Sequence, residues 1–403
     1  MKKREKMIMN KEKILILNGS FCEEPIIKKT KAMGYYVVTT GNMPNLQGHQ
    51  YADEYIPADY SDVNAILKLV QENNIQQIIS GANDFASITA SYVAEKMGWP
   101  GHDTYENSLI LHHKDKFKEF CYNNQIPSPH SISFTNEAEA KNYAVSEAVF
   151  PIIVKANDLT GGKGILKATN AEEADFAINN AFTLSRSKHI VIEPFLEGAQ
   201  QSFITFISNQ KVLASSSNDC FSPINPYLIQ SETLPAEGID KIKDELISIA
   251  EKIAVTLNLC DGILGLQYII CNGKPYIIET MRRCFGNQYL TLASMHSGFP
   301  WDEAYIKASL GQSCEDLLFT IPEHPFCGHH GIMATRNGIV KSYEIDPEIE
   351  KHIFMKIEML QPGGKIDNYL NERIAYIYYA YDNLKEMKQD VATYNSRIKI
   401  EME

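Results

Sequence analysis

A lysine closes the apolar run Pro151-Ile-Ile-Val-Lys155, and the glycine-rich turn Thr160-Gly161-Gly162-Lys163-Gly164 follows shortly after. An ammonium at a strand end is a compact charge for phosphate oxygens. The glycines let backbone N–H groups reach such oxygens with no side chain in the way. The spacing is not that of a P-loop, which leads into a helix; this turn joins two strand-like runs, and a tight hairpin beside a surface lysine is the plainer alternative. A second group of residues is His189-Ile-Val-Ile-Glu193-Pro-Phe195-Leu196-Glu-Gly-Ala-Gln200. Glu193 ends an apolar strand, where a buried carboxylate needs a partner. An adenine amino group would serve, with the backbone of Phe195 and Leu196 along the ring edge; a strand end facing solvent is the alternative. The third group pairs Gln267 with Glu279 on neighbouring runs joined by Asn272-Gly273, a hairpin signal. Both offer oxygens to a hard cation such as Mg²⁺. Arg282 and Arg283 follow directly, with forked guanidinium groups suited to phosphate or carboxylate. A surface arginine pair is the alternative, but the position between an apolar strand and a glycine turn favours a site.

The elements that must carry these residues change character along the chain. Lys13–Asn18, Tyr35–Thr39 and Ile75–Ile79 read as strands, and Glu23–Gly34, Asp62–Gln71 and Ser87–Met97 as helices. This alternation predicts βαβ units on a parallel sheet. Gly19 after the first strand is no dinucleotide fingerprint, since G-x-G-x-x-G is absent. From Phe150 onward the pattern becomes α+β, with paired strands and a long helix over Ile239–Leu257. The last part mixes short strands with a charged helix at Asn383–Val391. The expected divisions are 1–120, 121–205, 206–330 and 331–403.

Fifty acidic against 38 basic residues give a formal charge of -12, the wrong sign for a nucleic-acid partner. No run approaches the ~20 apolar residues of a membrane span. The basic N-terminus has too short an apolar stretch for a secretory signal. Eight cysteines occur without a CxxC pair, which fits neither a zinc knuckle nor a disulfide framework. A reducing, cytoplasmic setting is expected.

Together the glycine loop, the E-P-F-L-E-G run and the E-x-x-x-R ending at Arg283 resemble the ATP-grasp superfamily, in its carboxylate–amine ligase branch. The resemblance extends over about residues 12–330. It also takes in Asp115-Lys116, similar to the family's D-K-x-x-x-[KR], although Phe120 stands at the last position. The resemblance implies an α/β and α+β multidomain chain: a Rossmann-like pre-ATP-grasp domain, then a two-lobed ATP-grasp fold whose lid carries the glycine loop, then a C-terminal extension on the catalytic lobe. It implies that Lys116 and Lys155 contact ATP, and that Gly161, Gly162 and Gly164 cover the phosphates. Glu193, Phe195 and Leu196 would meet adenine, and Gln200 the ribose, where the family usually has an acid. Glu279 would bind Mg²⁺ or Mn²⁺, and Arg283, helped by Arg282, would hold the transferred phosphoryl group. Two positions depart from the pattern. Gln267 replaces the first metal glutamate and Met281 the asparagine beside the arginine, which makes Asn287 a candidate substitute ligand.

The activity implied is ATP-dependent joining of a carboxylate and an amine, both small molecules of amino-acid type, through an acyl phosphate, with ADP and phosphate released. A bicarbonate-using carboxylase or carbamoyl-phosphate-type enzyme is the first alternative. A non-catalytic nucleotide-binding scaffold, suggested by Gln267 and Met281, is the second. The substrate is expected between the strand ends at Gly19, Ser20, Gly81, Asn83 and Asp84, the segment Asn218–Tyr227 with Phe221 and Pro223, and the Arg283 loop. His329 and His330 read as a surface pair with a lesser chance of entering the site, and Arg336 as a further carboxylate binder. A homodimer is the default expectation.

Overall fold

The computed structural model describes residues 11–159 and 162–403. Strands β1 (Lys13–Leu17), β2 (Tyr36–Gly41), β3 (Glu54–Pro57) and β4 (Gln77–Ile79) form a parallel sheet in the order β3-β2-β1-β4. Its inner strand β1 reads as an unbroken apolar run because helices cover both faces. Leu15, Leu17, Val38 and Ile78 pack against the helices Val63–Glu72 and Asp84–Met97. Ile14, Ile16, Val37 and Ile79 pack against Glu24–Ala32 and Trp301–Ser309. Asp62 and Asn83 start two of these helices by accepting backbone N–H bonds at their N-termini.

A second, antiparallel sheet contains β5 (Ile132–Phe134), β6 (Ile152–Ala156), β7 (Ile165–Ala168) and β8 (Ile190–Pro194), ordered β5-β8-β6-β7. Side chains alternate between its faces. Ile152, Val154, Ile190 and Ile192 bury themselves against the helices Glu137–Ser146 and Ala171–Leu184. Ile153, Lys155 and Glu193 take the other face, toward the cleft.

The largest sheet holds eight strands: β9 (Ala199–Ser208), β10 (Lys211–Phe221), β11 (Ser231–Leu234), β12 (Gly262–Cys271), β13 (Lys274–Met281), β14 (Phe326–Ile332), and the later β16 (Ile353–Glu358) and β18 (Ala375–Tyr381). They are ordered β13-β12-β9-β10-β11-β14-β18-β16. β15 (Gly338–Ile345), β17 (Lys365–Ile366) and β19 (Ile398–Met402) make a small sheet at the end of the chain. Asn272 and Gly273 both have positive φ, 52° and 77°, as the two-residue turn between β12 and β13 requires.

Three of the expected divisions fall inside packed elements. Residue 120 lies within the helix Lys114–Asn123, whose Phe117, Phe120 and Cys121 share a core with β9, β12 and the helix Lys243–Thr256. Residue 205 lies within β9, and residue 330 within β14, so the last part of the chain continues the eight-stranded sheet. Apolar burial is contiguous at all three points, and a linker would need the opposite. Among the described residues no helix is long and apolar enough to cross a membrane.

Candidate active site

A cleft of about 1540 Å³ opens between the four-stranded antiparallel sheet and the eight-stranded one. On the small-sheet side, Lys155 from β6 and Glu193 from β8 meet with Nζ and Oε2 2.7 Å apart. Antiparallel pairing places Glu193 opposite Ile153, two residues from Lys155, so both side chains share the cleft face. Glu193 is 1% exposed. Burial alone would raise its pKa, but Lys118 and Lys155 outweigh that and hold the carboxyl below the usual glutamate range. Lys118 lies 3.6 Å from Oε1 and donates to Ser128 Oγ at 2.9 Å. Its burial, only partly offset by Glu193, lowers its pKa to about 8. Glu193 Oε1 accepts no hydrogen bond among the described residues.

On the opposite wall, strand pairing sets Gln267 directly across from Glu279. Lys114 bridges the two walls, donating to Leu159 O at 2.7 Å and lying 3.8 Å from Glu279. Arg283 lines the cleft and donates from Nε to Asp84 Oδ1 at 2.5 Å. Desolvation opposes the Asp84 charge, but Arg283 and His112 dominate and hold its carboxyl far below the normal range. Asp84 therefore fixes the arginine as a cation at the end of β13. Phe195, Leu196, Gln200, Met281 and Asn287 also line the cleft, with Phe221, Pro223 and Tyr227 from the segment after β10. Lys167 Nζ sits 4.0 Å from the Phe195 ring centroid.

Several expected site residues lie elsewhere. Lys116 is absent from the cleft wall and extends to Glu106, 3.7 Å away. At 100° per residue, Lys114 and Lys118 share one helix face and Lys116 takes the other. That periodicity was readable in the sequence and identifies both missed lysines. Arg282 is buried in a two-pronged pair with Asp103, at 2.7 and 3.2 Å, and donates to Ile263 O at 2.7 Å. Gly262 leaves room for it, since a Cβ there would lie 2.9 Å from Nη1. Arg282 staples elements together and lines no part of the cleft.

Gly164 closes the β6–β7 hairpin, its carbonyl accepting from Ala156 N at 2.9 Å. Gly162 does line the cleft, with φ +74°, and a Cβ there would come within 2.3 Å of Tyr227 O. Gly161 lies outside the described residues. Asn287 places its amide nitrogen 2.5 Å from Glu232 Oε2 and 2.8 Å from His329 Nε2, and its amide oxygen, the atom a cation would need, accepts from Tyr289 N at 3.2 Å. Gly19, Ser20, Gly81 and Asp84 are not on the wall, though Asn83 is. Glu23 gathers their loops instead, accepting from Ser20 N at 2.8 Å and Ala82 N at 2.7 Å. His329 and His330 are not a surface pair: they are 1% and 2% exposed on β14 and line the cleft. Arg336 points away, its Nη1 bonded to Glu403 O at 2.9 Å.

A cleft between two antiparallel sheets, with a glycine hairpin over one wall and carboxylate, amide and arginine on the other, has the two-lobed layout that the ATP-grasp resemblance implies. Residues 112–221 match the family model of the phosphoribosylglycinamide synthetase ATP-grasp (A) domain. Phosphoribosylamine–glycine ligase of Listeria monocytogenes serotype 4b (strain F2365) is 30% identical over 236 residues, 53% of this chain. The chain spans about half the length of that relative, 54%. Among solved structures, L-amino acid ligase from Bacillus licheniformis is similar with a TM-score of 0.81 and 15% identity, covering 97% of this chain and 99% of that one. Phosphoribosylglycinamide synthetase from Anaerococcus prevotii is similar with a TM-score of 0.76 and 20% identity, covering 98% and 100%.

Proposed function

We propose that the protein is an ATP-dependent carboxylate–amine ligase that forms an amide through an acyl phosphate. The observation that carries this reading is the buried charge arrangement of the cleft. Lys155 and Glu193 stand on one wall, with Lys118 buried behind Glu193, and Gln267, Glu279 and Arg283 stand on the other. In this reading Glu193 Oε1, which lacks a donor, accepts from the adenine amino group, and Phe195, Leu196 and Gln200 line the nucleoside. Lys155 neutralises phosphate charge, Lys118 holds Glu193 from behind, and Gly162 belongs to the hairpin that covers the phosphates. The segment 132–194 acts as the lid and 199–381 as the catalytic lobe.

The donor set opposite the lid fits one divalent cation. Glu279 supplies a carboxylate and Gln267 an amide oxygen, hard ligands of the kind Mg²⁺ takes when phosphates and water complete its shell. Met281 offers only a thioether, which suits a soft metal. When bound, Mg²⁺ would screen the charge of the polyphosphate. Arg283, held by Asp84, stabilises the oxygens of the transferring phosphoryl group. The substrate carboxylate takes the γ-phosphoryl group and ADP leaves. The amine nitrogen then bonds to the acyl carbon as the carbon–oxygen bond to phosphate breaks, and the amine releases a proton. Lid closure keeps water from the acyl phosphate.

The test is ADP release with Mg-ATP over a panel of amino acids and other small carboxylates, with hydroxylamine as trap. Hydroxamate from at least one carboxylate, lost on adding a chelator and in Arg283→Ala, is the expected result. Turnover stimulated by bicarbonate alone, or ATP binding with no turnover across the panel, would overturn it.

A further inference from the structure

Part of the cleft wall has no role in the nucleotide chemistry above. Glu232 on β11 stands directly opposite His329 on β14 and is 5% exposed. Its carboxylate accepts from Asn218 Nδ2 at 3.1 Å and Asn287 Nδ2 at 2.5 Å and lies 2.9 Å from His329 Nε2. Among the described residues no lysine or arginine lies within ion-pair distance of it. Arg373, just before β18, also lines the cleft. It donates to Ile229 O at 2.8 Å and lies over the Tyr376 ring at 5.1 Å, yet it has no carboxylate partner among the described residues. Tyr376 links the two groups, because His329 packs edge-on against the same ring at 5.7 Å. Three buried polar atoms here lack partners among the described residues: Asn218 Oδ1, His329 Nδ1 and Arg373 Nε. Gly331 keeps the arginine's place open, since a Cβ there would come within 3.0 Å of its Cδ and Nε.

A buried carboxylate without a lysine or arginine partner and a half-buried arginine without an anion thus line the same cleft, linked through His329 and the Tyr376 ring. A charge drawn out of water without a counter-charge is costly. No ion pair joins the two among the described residues, which leaves both open to a ligand bearing both signs.

We propose that Glu232, His329 and Arg373 form the subsite for the amine-bearing substrate, and that this substrate is a zwitterion of amino-acid type. Its amino group docks at Glu232 and its carboxylate at Arg373. His329 is a positioning residue that holds Glu232. The assignment rests on the ligase reading and adds a selectivity to it: the acceptor must carry its own carboxylate, which Arg373 keeps away from the phosphoryl group. A guanidinium–carboxylate pair of this kind contributes roughly 10- to 100-fold in affinity.

The experiment compares each proteinogenic amino acid with its decarboxylated amine as acceptor, in wild type, Arg373→Gln, Arg373→Lys and Glu232→Gln. Every rate is divided by the same variant's hydroxamate rate. Wild type is expected to prefer the amino acid through KM. Arg373→Gln should erase that preference by on the order of 10- to 100-fold, and Arg373→Lys should restore part of it. Glu232→Gln should weaken the amino acid and the amine alike. In parallel, the same amino acids are added to the ATP-saturated protein, and the shift in melting temperature should be present in wild type and lost in Arg373→Gln. Equal treatment of amino acids and amines by wild type, or no shift with any amino acid, overturns the subsite while the hydroxamate assay still reports on the ligase. Failure of the hydroxamate assay with an intact, Arg373-dependent shift overturns the ligase reading and leaves the subsite standing.

Discussion

Lys118 has Glu193 for a counter-charge and almost no contact with water, being 5% exposed. Its pKa of about 8 lies below the usual lysine value of 10.5. Between those values the folded protein binds fewer protons than the unfolded chain, so this group makes stability rise with pH across that window. Denaturant midpoints measured against pH should show the rise in wild type and lose it in Lys118→Met. The same substitution should weaken ATP binding at least tenfold, since it removes the cation that holds Glu193 as a carboxylate at the adenine subsite. Lys116→Met should change neither, because Lys116 is 40% exposed and turned to Glu106. An effect of Lys116→Met on ATP affinity equal to that of Lys118→Met would return Lys116 to the site.

In the ligase reading, the β6–β7 hairpin is the element that covers the nucleotide. Gly162 adopts φ +74° and touches the backbone of Tyr227, whose hydroxyl in turn accepts from Lys167 N at 2.8 Å. The hairpin therefore rests on the segment after β10 through both backbone and side chain. An alanine at 162 meets a left-handed conformation that costs about 1–2 kcal/mol and a carbonyl in the way. Gly162→Ala should raise the KM for ATP several-fold. Its global unfolding midpoint should move little, because the hairpin tip lies outside the hydrophobic cores. A large drop in stability with unchanged KM would assign the glycine to folding alone.

At the scale of the whole molecule, a chain of net charge -12 lines its cleft with six cations, Lys114, Lys155, Lys167, Arg283, Arg373 and Lys388, against five carboxylates, Glu193, Asp219, Glu232, Glu237 and Glu279. The cleft is thus close to charge balance in an otherwise acidic protein, which lessens the repulsion that an anionic ligand meets there. The lid packs its own core through Ile152, Val154, Ile190 and Ile192, separate from the core under β9 and β12. Asn157 ties it to the helix Lys114–Asn123 by donating to Asp115 Oδ1 at 2.8 Å. Mg-ATP should therefore slow amide hydrogen exchange over 152–168 and 190–194 well beyond the change in β14 and β18. Uniform protection of both sheets would show that the lid does not open as a unit.

The parallel sheet and the strands carrying Lys155, Glu193, Gln267 and Glu279 were legible because apolar period and turn chemistry act locally: alternation selects a face, and Asn272-Gly273 selects a hairpin. β3 was missed, since Glu54–Pro57 has no apolar run and gains its place only by pairing with β2. Lys114 and Lys118 were within reach of helical periodicity, whereas attention to the Asp-Lys pair led to Lys116. Arg282 and Arg283 are adjacent and chemically identical in the sequence. Tertiary structure alone separates them, by supplying Asp103 to bury the first and Asp84 to hold the second at the cleft. The same holds for Glu232, His329 and Arg373, which come from three strands or strand edges far apart in the chain. Strand faces, hairpins and helix surfaces follow from near neighbours along the chain, and local residue order is enough to set them. Which charges find partners depends on distances that chain order does not set, and those pairings exist only once the sheets and helices are packed together.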